Sequence, residues 1–148
     1  MSVTDPADRR PTATPGSGRS GGRSRIGLQI TLGALACIPL VTGLMDLLLG
    51  VGVLPGRPTA DANIESNYRY FATFWLAAGL LIVWIIPRVE RATWPLRALC
   101  ATVFVGGLAR LLAMAVHGQP HLLFQAATVL ELTAPPVLVW WQSQQPRQ

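Results

Sequence analysis

Four long apolar runs dominate the chain, and short polar segments separate them. The runs cover residues 26–54, 70–86, 98–116 and 122–141. Their lengths are near or above the roughly 20 apolar residues that cross the hydrocarbon core of a bilayer. Because that core offers the backbone no hydrogen-bond partner, each run is expected to be helical. The pattern predicts an all-α integral membrane bundle of four transmembrane helices.

The polar segments set the boundaries of the predicted membrane domain, 26–141. Residues 1–25 are rich in Gly, Ser, Pro and Arg and lack apolar periodicity, which predicts a disordered tail. Residues 59–67 are predicted to be a polar loop, and residues 142–148 a short polar tail. The first run is longer than a span requires, so it is expected to tilt or to bend at Pro39.

The distribution of arginine predicts the orientation of the helices. The chain has 12 basic residues and a formal net charge of +5, and every basic residue is arginine. Five precede the first span, three lie between the second and third, and one follows the fourth, against two on the other side. This bias predicts that both termini are cytoplasmic. The arginine-only, Ala-, Gly- and Pro-rich composition favours a bacterial origin, and the membrane is then expected to be the inner one. Charge placed beside the spans is typical of topology determinants, so no nucleic-acid partner is expected.

Three charged side chains lie inside the apolar runs, where charges usually pair or mark a function. At 1.5 Å per helical residue, Asp46, Arg110 and Glu131 lie roughly 12, 9 and 13 Å from the outer ends of their spans. Three helices thus bring them to one layer in the outer half of the bilayer. Asn67 and Arg69 lie close above this layer, and the five residues together form the candidate ligand-binding site.

Three interpretations of this layer remain open. In the structural one, Arg110 bridges both carboxylates and fixes helix packing in an accessory membrane subunit. In the functional one, two acids share one arginine, so that one carboxyl holds a proton. Glu131 would then be the proton-labile group and Arg110 its orienting partner, at a site for a small ligand, lipid headgroup or proton. An intramembrane isomerase with a carboxyl as general acid is a third alternative.

No known catalytic or cofactor motif accompanies this layer, so no catalytic residue, cofactor or metal is expected. Cys37 and Cys100 form no C-x-x-C pair. His117 and His121 flank a turn that contains glycine and proline, which favours interfacial polar residues over metal ligands. Ala109 and Ala113 form a stripe of small residues that would suit a homodimer or a partner membrane protein, or packing within the chain.

Three short motifs carry a family resemblance. They are Glu65–Phe71 (ESNYRYF), Gly106–Leu111 (GGLARL), and Glu131–Leu132 followed by Pro135–Pro136. In order and spacing they resemble the domain-of-unknown-function 4345 family of small four-span bacterial membrane proteins, over roughly residues 26–141. The resemblance implies an all-helical four-span fold and no particular activity. The candidate residues that match the family pattern are Asn67, Arg69, Arg110 and Glu131. The assignment of Asp46 to the site depends only on its depth in the membrane.

The orientation is testable with a reporter that is active only in the periplasm. Fused after Gln148, it is expected to be inactive, because the arginine bias holds that end in the cytoplasm. The matched insertion after Pro58, in the first loop, should be active. Activity at Gln148 would overturn the orientation and, with it, the placement of the charged layer in the outer half.

Overall fold

The computed structural model describes residues 17–144, with side chains from residue 23 onward, and contains four helices and no strand in that range. The helices are α1 (Ser17–Leu49), α2 (Ala62–Ile85), α3 (Thr93–His117) and α4 (Leu122–Ser143). Each is long and apolar enough to cross a membrane. The all-α, four-span prediction is confirmed.

Helix α2 begins earlier than its apolar run, which corrects the predicted loop at 59–67. The Asp61 carboxylate accepts a hydrogen bond from the backbone N–H of Ile64 at 2.8 Å, as a helix N-cap does. Because this cap satisfies a donor that would otherwise be unpaired, the polar residues from Ala62 onward are helical. The hydropathy of the run could not show this.

Helix α1 also begins earlier than expected, at Ser17, so the last part of the predicted disordered tail is helical. Extending an existing helix costs little compared with nucleating one, and two contacts hold this extension. Arg25 pairs with Glu90 at 3.4 Å, and the Trp141 indole donates to the Ser24 hydroxyl at 3.0 Å. The rest of the predicted tails, residues 1–16 and 145–148, lies outside the described residues.

The helices pack as two antiparallel hairpins, α1 with α2 and α3 with α4. Glycine allows the closest approaches. A Cβ atom added at Gly43 would lie 2.9 Å from the backbone nitrogen of Leu76, and one at Gly107 would lie 2.9 Å from the Leu132 side chain. Small residues at such crossings let helices in lipid gain van der Waals contact.

The two hairpins meet at the terminal end of the bundle, where α1 begins and α4 ends. A core of buried apolar side chains from all four helices lies there, which we call the terminal core: Leu28, Leu32, Ile85, Val89, Ala92, Leu96, Cys100 and Leu138. Side-chain amides add hydrogen bonds between elements. Gln29 donates to the carbonyl of Ile86, and Gln142 donates to that of Val89, each at 2.9 Å. Towards the opposite loop end, where each hairpin turns, a cavity lies between the hairpins.

The α1–α2 crossing can be tested with two glycines of equal helical context. Gly43→Ala is expected to lower the free energy of unfolding by roughly 1–3 kcal/mol, because its Cβ would press on the backbone of α2. Gly106→Ala, which meets nothing within 4 Å, should be neutral or stabilising by up to about 1 kcal/mol. Denaturant titration in mixed micelles measures both. Equal effects would contradict the close crossing.

Candidate functional site

A cavity of about 870 Å³ lies between the two hairpins and is lined by all four helices. Most of its wall is apolar. Charged and phenolic side chains reach it from each helix, and we call these residues the polar cluster: Asp46, Tyr68, Arg110 and Glu131. The cavity therefore combines an apolar wall with a small set of polar groups, as small-molecule sites do.

The α3–α4 side of the polar cluster is an ion pair. The Nε of Arg110 donates to both carboxylate oxygens of Glu131, at 2.9 and 3.2 Å. The glycine one turn before the arginine brings the helices together, since a Cβ at Gly107 would lie 3.2 Å from that of Glu131. The Glu131 side chain is 12% exposed and that of Arg110 is 40% exposed. The acid is thus fixed between helices, and the guanidinium extends outward from it.

The outer part of the Arg110 guanidinium makes no hydrogen bond within residues 17–144. Both of its bonds to Glu131 come from Nε, so that Nη1 and Nη2 have no partner among those residues. The guanidinium carbon lies 5.6 Å from the centroid of the Phe124 ring, within the range of a cation–π contact. An arginine has five N–H donors, and most of those on Arg110 are available to a ligand.

The α1–α2 side of the polar cluster is a carboxylate with a phenol. The Asp46 carboxylate and the Tyr68 phenol lie beside each other, and the charge of Arg110 also acts on Tyr68 across the cavity. Within the part of the chain that the structure describes, no ion pair reaches Asp46. The two sides of the polar cluster therefore face each other without a salt bridge between them.

Arg69 belongs to a different arrangement, at the loop end of the first hairpin. It pairs with Glu65 at 2.7 Å and donates to the carbonyls of Leu47 and Leu48 at 2.9 and 3.0 Å. The last carbonyls of a helix lack intrahelical partners, so Arg69 caps α1. The other oxygen of Glu65 accepts the backbone N–H of Val51 at 3.1 Å. These contacts connect α2 to the end of α1, and Arg69 does not line the cavity.

Asn67 is exposed and also lies outside the cavity wall. Its neighbour Tyr68 is the cluster residue that sequence reasoning missed. Tyr68, Phe71 and Trp75 all line the cavity, at the spacing of one helical face. That spacing is visible in the sequence only once residues 68 and 69, which precede the predicted span, are read as helix.

The histidines and cysteines form no metal site in the described residues, where no group of three metal-ligating side chains occurs. His121 caps α4 by accepting the backbone N–H of Leu123 at 3.3 Å. Cys100 is buried at the cavity wall, and Cys37 is exposed on the outer surface of α1.

Four helices long and apolar enough to cross a membrane, with the polar cluster between them, fit a small four-span membrane protein. The chain belongs to the family described as Domain of unknown function (DUF4345), whose model matches residues 27–142. This match confirms the resemblance carried by the sequence motifs, and the family description gives no activity. No curated protein and no solved structure matches the chain.

A double-mutant cycle can test the pairing in the polar cluster. Arg110→Gln and Glu131→Gln should be coupled by roughly 0.6–1.7 kcal/mol in the free energy of unfolding, as expected for a hydrogen-bonded pair between membrane helices. Arg110→Gln and Asp46→Asn should be additive within about 0.5 kcal/mol, since they share no contact. Equal coupling in both cycles would show that Arg110 bridges both acids.

Proposed function

We propose that this chain is a multi-pass protein of the bacterial inner membrane that binds a small amphipathic ligand between its hairpins. The ligand's apolar body would lie along the cavity wall, and its polar head would contact the polar cluster. One observation carries the proposal: a cavity of about 870 Å³ whose wall is apolar except for convergent polar groups from four helices. Ligand sites of roughly 300–1,000 Å³ have this composition.

The hydrogen bonds of the polar cluster favour binding over a role in packing alone. A packing role would be best served if Arg110 joined both carboxylates and so tied three helices together. Among the described residues Arg110 instead pairs with Glu131 only, and Asp46 lies beside Tyr68 of its own hairpin. Polar groups that face hydrocarbon are costly unless they are satisfied. A bound head group or a proton would satisfy the donors and acceptors that face the cavity.

The proposed orientation places the polar cluster in the periplasmic half of the membrane. The arginine bias supports cytoplasmic termini. The polar cluster is nearer to the loop end than to the terminal end, since Arg110 and Glu131 lie seven and nine residues from the loop between α3 and α4. The same groups would therefore receive a ligand from the periplasmic side or from the outer leaflet.

A lipid extract of bacterial membranes is the first probe of this function. Added to the purified protein in detergent, it is expected to raise the midpoint of thermal unfolding by several degrees, because a ligand at a hundred times its Kd stabilises the folded state by about 2.7 kcal/mol. Glu131→Gln and Asp46→Asn should abolish the shift.

Two substitutions with the same chemistry outside the cavity serve as controls. Glu90→Gln at the terminal end and Asp61→Asn at the start of α2 should keep the shift. If the extract produces no shift, and if Glu131→Gln and Arg110→Gln both unfold the protein, the polar cluster serves packing and the binding proposal is wrong.

A further inference from the structure

The apolar length of the cavity restricts the body of the ligand. Its wall runs along α1 from Asp46 back to Leu32 and along α3 from Arg110 back to Leu96. Each stretch covers fifteen residues, whose fourteen helical rises span roughly 21 Å. One leaflet accounts for about half of the roughly 30 Å hydrocarbon core. The cavity is therefore long enough for an extended lipid chain, and a compact metabolite would leave most of it unfilled.

The depth of the polar cluster restricts the kind of head group that the ligand can have. Arg110 precedes the end of α3 by seven residues, and Glu131 follows the start of α4 by nine, which are roughly 10 and 13 Å of helix. The charged head of a phospholipid lies at the membrane surface and would not reach this layer with its chain in the cavity. A small head that itself partitions into hydrocarbon would reach it.

The charges of the polar cluster restrict the head further. Glu131 already neutralises Arg110, and Asp46 adds a carboxylate without a cationic partner. An anionic head would meet net negative charge. An ammonium head could satisfy Asp46 but has no acceptor for the Nη donors of Arg110. An uncharged head group with one acceptor and one donor can bond both to the Nη donors of Arg110 and to the Asp46 carboxylate.

The aromatic residues next to the polar cluster favour a flat head. Tyr68 and Phe71 of α2 and Phe124 of α4 line this part of the cavity, and Phe124 lies against the Arg110 guanidinium. Aromatic side chains pack well against a planar ring, in stacked or edge-to-face arrangements.

Building on the proposed function, we infer that the ligand is an isoprenoid quinol, whose chain lies in the apolar cavity and whose ring lies at the polar cluster. One ring oxygen accepts from the free Nη groups of Arg110. On the opposite side of the ring, a quinol hydroxyl donates to Asp46. The two ring oxygens of a para-quinol point in opposite directions, as the two sides of the polar cluster require.

The inference is tested with four single-chain probes on the unsubstituted protein, purified in detergent and depleted of native lipid. The probes are reduced decylubiquinone, dodecyl phosphate, dodecylamine and dodecane. The quinol is expected to raise the unfolding midpoint at concentrations at least tenfold below those needed for the other three. This comparison of heads needs no variant, so a misfolded mutant cannot obscure it.

Substitutions then test whether the quinol ring lies at the polar cluster. Arg110→Gln and Asp46→Asn should each weaken the response to the quinol at least tenfold. Arg88→Gln, at the terminal end, and Asp61→Asn should leave it unchanged. Quinone measured in the organic extract of freshly purified protein should approach one molecule per chain and fall in the Arg110→Gln variant.

The outcomes separate this inference from the proposed function. Stronger binding of dodecyl phosphate or dodecylamine would refute the quinol head while leaving an amphipathic ligand in place. Equal binding of dodecane would show that the polar cluster does not recognise a head group, which refutes both. If the membrane lipid extract shifts the midpoint but the quinol does not, only the quinol inference is wrong.

Discussion

The terminal core is the buried apolar packing that joins the two hairpins within the described residues, and the cavity lies between the same four helices. In lipid, helix association lacks the hydrophobic driving force that operates in water, so it depends on close packing and interhelical hydrogen bonds. The terminal end has both: buried apolar side chains from all four helices, and the Gln142 amide of α4, which donates to the Val89 carbonyl at the end of the first hairpin. At the level of the polar cluster no ion pair connects the hairpins within the described residues.

Each hairpin contains one carboxylate–arginine pair near its loop end, and the difference between the two pairs is informative. Arg69 and Arg110 are similarly exposed, at 41% and 40% of their side-chain surface. Arg69 also donates to two backbone carbonyls of α1, so its guanidinium is used in holding the first hairpin closed. Arg110 donates to Glu131 through Nε alone. The first arrangement is complete without a ligand, whereas the second retains donors beside a cavity.

The four spans and the Arg110–Glu131 pair could be predicted because both follow from position along apolar helices. The start of α2 could not, since it depends on the Asp61 cap and not on hydropathy, and with it Tyr68 was missed. The role of Arg69 was also beyond the sequence. It depends on the backbone that follows α1, where Gly50 adopts a positive φ of 66° and the Glu65 carboxylate occupies the space that a Cβ would need. Hydropathy and depth contain no information about such a turn.

The two sides of the polar cluster are complementary, yet they do not bind each other. The first hairpin presents the Asp46 carboxylate, an acceptor, and the second presents the guanidinium of Arg110, a donor. In the proposed complex, a head group with an acceptor and a donor bonds to both and supplies the interhairpin contact that the protein lacks at this depth. Its chain fills the apolar space between the same helices. In that complex the ligand would join the hairpins near the loop end, as the terminal core joins them at the other end.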